Sequence, residues 1–123
     1  MRELKASFDL SMILITHNMG IVAELADRIA VMYGGKLMEV ASAVELYDKP
    51  LHPYTQGLLR SIPNISLDSQ KLETMPGSPP DLIEPPPGCR FHPRCPYVME
   101  KCYTLEPIMK EVGNGHHVAC WLY

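Results

Sequence analysis

An α/β fold, in which a strand–helix unit, a β-hairpin and short helices precede a small loop-rich cysteine module, is predicted by three features of this 123-residue sequence. A continuous apolar run, Ser11 to Thr16, leads into a stretch whose apolar residues recur at helical spacing. Two β-like runs flank Gly34-Gly35, and all four cysteines fall after Pro63, where proline and glycine accumulate. Composition therefore divides the chain into residues 1–62, apolar and periodic, and residues 63–123, a proline-rich connector followed by the cysteine module.

Arg2 to Ser7 read as the end of a charged helix. Ser11-Met12-Ile13-Leu14-Ile15-Thr16 then has the unbroken apolar character of a strand buried on both faces of a parallel sheet. Asn18 is an N-cap candidate for a helix in which Met19, Val22, Leu25, Ala26 and Ile29 recur every three or four residues, with Glu24, Asp27 and Arg28 largely opposite. The runs Ile29–Tyr33 and Lys36–Ala41 are joined by Gly34-Gly35, both of whose positions accept positive φ, so they predict a hairpin. Ser42-x-x-Glu45 is a capping box ahead of Leu46-Tyr47. Pro53 suits the first position of a helix running through Tyr54, Leu58, Leu59 and Ile62 to a stop at Pro63, with Gly57 weakening it.

The stretch from Pro76 to Gly88 carries too many prolines for a helix or central strand and is predicted to be extended, laid against its own domain through Leu82 and Ile83. Past Cys95, Pro96 is placed to open a single helical turn reaching Cys102. Met109 to Val112 and His117 to Tyr123 are expected to pair across Gly113-Asn114-Gly115, which returns Cys120 to the other cysteines.

The cysteines stand as Cys89-x5-Cys95-x6-Cys102-x17-Cys120. Thiolates are soft donors, and four of them satisfy either a tetrahedral zinc or the corners of an iron–sulfur cluster. Zinc modules usually set paired cysteines two to four residues apart; the wider gaps here, and the Cys95-Pro96 step, favour a [4Fe–4S] cluster with Zn as the alternative. His92, His116 and His117 are substitute ligands in principle but read as exposed loop residues. Two disulfides would suit a secreted chain, yet charges interrupt Met1 to Asp9 where a signal peptide needs an apolar core. The longest apolar run, Met12 to Ile15, is too short to span a membrane. A net charge of −3 and a pI near 5.9 provide no basic stripe, which argues against nucleic acid as a partner.

His17 directly follows the predicted strand, and ligands of open α/β sheets gather at the carboxyl ends of strands. The run Ile13 to Gly35, containing Thr16-His17-Asn18, resembles the switch-histidine region of an ABC-transporter ATPase. His52-Pro53-Tyr54-Thr55, followed by Gly57-Leu58-Leu59, is similar to the C-terminal extension of the dipeptide/oligopeptide (and nickel) branch, and so are Pro76-Gly77-Ser78-Pro79-Pro80 and Gly88 to Pro96.

By this resemblance residues 1–62 are the C-terminal remnant of the nucleotide-binding domain. His17 is then the switch histidine that senses the γ-phosphate and helps position the hydrolytic water, and Cys89, Cys95, Cys102 and Cys120 hold a [4Fe–4S] cluster. The implied parent imports short peptides, pairing with a second ABC ATPase subunit beneath transmembrane permease subunits. It would be cytoplasmic and peripheral to the inner face of the cell membrane. A complete subunit also needs the phosphate loop Gly-x-x-x-x-Gly-Lys-Ser/Thr; this sequence has only Gly34-Gly35-Lys36-Leu37, with Ala30 in place of the first glycine. The glycine-rich signature and the acidic strand end that holds Mg²⁺ are absent too. The expectation is a C-terminal portion of such a subunit that does not hydrolyse ATP alone, with ATP and Mg bound only in the intact parent. The competing expectation is an autonomous small metal-binding redox or interaction protein.

Overall fold

The computed structural model describes residues 11–62 and 75–123. The expected helical end at Arg2 to Ser7 lies outside them. Asn18 caps helix α1 (Met19–Leu25) by accepting a hydrogen bond from the Ile21 amide at 3.3 Å, the three-residue reach an N-cap makes. Ile29, expected on this helix, instead lies in strand β1 (Arg28–Tyr33). The chain reverses at Gly34 and Gly35, with φ of +55° and +77°, into β2 (Lys36–Ser42). Two successive positive φ values twist a two-residue turn in the sense the paired strands require.

Ser42 caps α2 (Ala43–Asp48) through the Glu45 amide, and Pro53 opens α3 (Pro53–Arg60), which ends two residues short of Ile62. Two 3-10 turns, His92–Arg94 and Glu100–Tyr103, frame the cysteine loops. The second lies past the position at which Pro96 was expected to open a turn. Strands β3 (Lys110–Gly113) and β4 (His116–Val118) pair across the expected glycine-asparagine turn. Among the described residues the sheet is antiparallel throughout, in the order β1-β2-β4-β3, with Glu39 opposite Val118 and Val40 opposite His117. The architecture is α/β, and strands from before and after the proline-rich connector share one sheet.

Ser11 to Thr16 do not form the expected strand. They run as irregular chain, with Ile13 and Ile15 91% and 93% exposed. A strand buried on both faces needs hydrogen-bonded neighbours and covering helices, and no described segment lies alongside this one. Leu82 and Ile83 also fail as anchors and are largely exposed. The connector is held instead by arginines: Arg94 donates to the carbonyls of Pro76 (2.8 Å) and Met75 (3.3 Å), and Arg90 to that of Pro86 (3.1 Å).

Two apolar clusters meet at Tyr54. One gathers Val22, Ile29, Val31, Ala41 and Leu46 between the hairpin and helices α1 and α2. The other gathers Tyr33, Met38, Phe91, Cys89 and Cys102. Phe91 is fully buried, with its ring centroid 5.2 Å from Tyr33, 5.4 Å from Tyr54 and 5.7 Å from His52. His52 accepts the Tyr54 amide on Nδ1 at 3.0 Å and so caps α3.

Burial pushes the His52 pKa down to about 4, with the Glu39 carboxylate opposing the shift. His52 is therefore neutral in the fold, whereas the unfolded chain takes up a proton near pH 6.5. Above pH 6.5 neither state is protonated and stability is independent of this group. As pH falls from about 6.5 to about 4 the unfolded state is progressively favoured, by about 3 kcal/mol in total. Urea unfolding across this range is expected to show that loss in the wild type and a smaller one in His52→Asn, which retains an oxygen for the Tyr54 amide but cannot titrate.

Candidate functional site: four converging cysteines

Gly88 sits at φ +66°, a conformation that disfavours any side chain, and a Cβ there would collide with the Cys102 carbonyl oxygen. The same close approach lets the Cys89 amide donate to that oxygen at 2.9 Å, which clamps the first and third cysteine loops together. The Cys89 carbonyl accepts from the His92 amide at 3.0 Å and lies 2.9 Å from His92 Nδ1, fixing the turn that leads to Cys95. Cys120 is delivered by the sheet: Ala119, beyond the end of β4, donates to the Met38 carbonyl at 2.8 Å. Trp121 closes the module, its indole N–H on the Leu105 carbonyl at 3.1 Å and the Lys101 ammonium 4.7 Å from its ring centroid.

All four thiols are free, with Cys89 and Cys102 buried and Cys95 and Cys120 partly so. Every pair among them is close enough for the charge of one to act on another. Desolvation pushes Cys89 up to about 11 and raises Cys95 and Cys120. Hydrogen bonding from the backbone N–H groups of Phe91 to Cys89, Tyr97 to Cys95, and Leu122 and Trp121 to Cys120 opposes the rise. Amides two residues beyond a cysteine that point back to its sulfur stabilise the thiolate, the form that binds metal. Among the described residues no three His, Cys, Asp or Glu side chains stand close enough to hold one metal ion.

The three histidines considered as substitute ligands are engaged elsewhere. His92 is held on the Cys89 carbonyl, and His117 Nδ1 lies 3.0 Å from the Gly115 carbonyl. His116 is not an exposed loop residue: it opens strand β4, is buried, and places Nε2 2.6 Å from Glu39 Oε1. Its Nδ1 lies 4.0 Å from Glu45 Oε2. Glu39 is fully buried and also accepts the Leu51 and His52 amides, at 2.7 and 3.0 Å. Sequence reasoning missed this pair; the available signal was a lone acid in the apolar run Met38-Glu39-Val40-Ala41.

His17 is exposed at the entry to α1. Its neighbours set the local backbone, since Thr16 Oγ1 accepts the Asn18 amide at 3.1 Å and Asn18 caps the helix. It belongs to no part of the cysteine site. Among the described residues no helix is long and apolar enough to cross a membrane.

Residues 38–102, from mid-β2 through Cys102, match the family model of the oligopeptide/dipeptide transporter, C-terminal region. The chain is 46% identical over 123 residues to a dipeptide transport ATP-binding protein DppD of Caldanaerobacter subterraneus, covering 100% of this chain and 38% of the relative. It is 48% identical over 123 residues to the oligopeptide transport ATP-binding protein AppD of Bacillus subtilis, with the same shares of 100% and 38%. The oligopeptide transport ATP-binding protein OppD of Salmonella typhimurium is 42% identical over 121 residues, 98% of this chain and 36% of the relative. This chain thus spans little more than a third of the length of these relatives. With the match covering more than half of its residues, the chain belongs to the oligopeptide/dipeptide transporter C-terminal region family.

Proposed function

We propose that this chain is the C-terminal part of the ATP-binding subunit of a peptide importer, and that its four cysteines hold a [4Fe–4S] cluster. The subunit works with a second ATPase subunit beneath membrane permeases, at the inner face of the membrane. The transport reading rests on the family match and on relatives named as dipeptide and oligopeptide transport ATP-binding proteins. The observation that carries the cofactor reading is the convergence of four free thiols, three of them turned toward backbone amides. Cysteines spaced more widely in sequence than the paired ligands of zinc modules suit a polynuclear centre better than a single tetrahedral zinc. Residues 1–62 then form the remnant of the nucleotide-binding domain, and residues 63–123 the connector and cluster module.

When bound, the cluster supplies a covalent cross-link among loops that have little regular structure of their own, together with a one-electron couple. The protein's part is to hold the sulfurs. Gly88 brings two cysteine loops into contact, the amides of Phe91, Tyr97 and Leu122 favour thiolate, and β4 carries Cys120 to the others. Because burial raises the Cys89, Cys95 and Cys120 thiols, loading displaces protons and weakens as pH falls. Protein purified without oxygen is expected to contain about four iron and about four acid-labile sulfide per chain. Serine at Cys89, Cys95, Cys102 or Cys120 should lower both. Stoichiometric zinc with neither iron nor sulfide would overturn the cluster reading.

His17 is the residue of the described chain that faces nucleotide in this reading. Its exposed position at the N-terminal end of α1 suits contact with a γ-phosphate and the attacking water once the rest of the subunit and its partner are present. In the full-length subunit assembled with its partner ATPase, His17→Ala is expected to reduce ATP turnover by about 100-fold or more. An unchanged rate would remove His17 from the mechanism.

A further inference from the structure

The pair Glu39–His116 lies between the cysteine module and the segment His52-Pro53-Tyr54 that starts α3. On one side, His116 is four residues from Cys120, and the intervening Val118 and Ala119 are buried. On the other, Glu39 grips the two amides that lead into α3, with Leu51 N–H on Oε1 and His52 N–H on Oε2. A fully buried carboxylate is tolerated only while its acceptor sites are filled; removing one partner leaves charge without compensation. Three donors from two distant segments fill these sites, and the shortest contact, 2.6 Å, comes from His116.

Strand β4 is a short bridge. It has three residues, is tied to β2 at two register positions and to its hairpin partner β3 at three, and is continued by Ala119 and Cys120. With only two positions pairing it to β2, the seating of the β3–β4 hairpin on that strand depends also on what holds the C-terminal end of β4. A second route joins the same partners: Phe91, two residues after Cys89, packs on both His52 and Tyr54.

We propose that Glu39 and His116 form a latch through which loading of the cysteine site orders the His52-Pro53-Tyr54 turn and the N-terminus of α3. A filled site pins Cys120 and hence β4, holding His116 on Glu39 and Glu39 on the Leu51 and His52 amides. An empty site leaves the β3–β4 hairpin held on β2 by its few strand pairings, so His116 withdraws from Glu39 and the turn loosens. His116 and Glu39 are positioning residues and touch no ligand in this scheme. The latch rests on the cluster reading above and adds to it a regulated element: the family's His-Pro-Tyr turn reports the state of the cysteines.

The test is amide hydrogen exchange on the 123-residue chain, prepared anaerobically with its iron and sulfide and again after their removal by chelator. Loading is expected to slow exchange at Leu51 and His52 by about tenfold or more while leaving the Met19–Leu25 helix within about twofold. In His116→Gln, iron and sulfide should still bind, but the loading-dependent protection at Leu51 and His52 should fall below about twofold. Glu39→Gln should lose it likewise. Iron and sulfide bound, with exchange at Leu51 and His52 the same loaded and unloaded, overturns the latch and leaves the cluster reading standing. Equal protection in wild type and His116→Gln also overturns it. Failure to bind iron and sulfide overturns both, and the metal analysis identifies that case. If neither variant folds, the loaded and unloaded wild-type samples decide the question.

Discussion

A buried carboxylate organises this molecule. Glu39 lies mid-strand in β2, wholly out of solvent, and its oxygens are shared among the Leu51 amide, the His52 amide and His116. Burying such a group without partners would cost several kcal/mol, so the chain must bring all three donors to it. That requirement places β4 beside β2, although 77 residues separate Glu39 from His116 in sequence. It also places the loop before α3 over the same strand. A composition break at the proline-rich connector divides the sequence, while this carboxylate ties the two stretches together in the fold.

The cysteine site inherits its geometry from that tie. Its loops have only two 3-10 turns and close backbone contacts such as Cys89 to Cys102, so little local structure holds them. Their support comes from the aromatic group of Phe91, Tyr33 and Tyr54 on one side and from β4 on the other. Burial raises the Cys89, Cys95 and Cys120 thiols, yet backbone amides stand ready to stabilise their thiolates. Such a site couples metal loading to proton release and to the order of the surrounding loops. The groove of about 440 Å³ between α3 and the cysteine loop, lined by Pro53, Gly57, Arg94 and Cys95 among others, is bounded by both elements, so their relative order shapes it.

What could be read from the sequence was local. Asn18, Ser42 and Pro53 begin helices because a cap or a fixed φ acts within three residues, and Gly34-Gly35 makes its turn for a similar reason. The return of Cys120 toward the other cysteines was legible because Gly113-Asn114-Gly115 predicts a hairpin of known direction. What escaped depended on distant partners. Ser11 to Thr16 have the composition of a central strand, but composition does not supply neighbouring strands. Leu82 and Ile83 looked like anchors, yet arginines binding main-chain carbonyls hold the connector, and no periodicity announces such contacts. Glu39 and His116 were illegible as a pair because each has meaning only when the other is adjacent.

The central claim is that Glu39 and His116 stabilise the fold jointly, and a double-mutant cycle measures that directly. Urea unfolding would be compared for the wild type, Glu39→Met, His116→Leu and the double variant at neutral pH. Each single change should be strongly destabilising because it strands the other polar group, and the double variant should be more stable than the summed losses imply, with a coupling of about 2 kcal/mol or more. Losses that add to within about 0.5 kcal/mol would show that the two residues act independently, and would contradict this account.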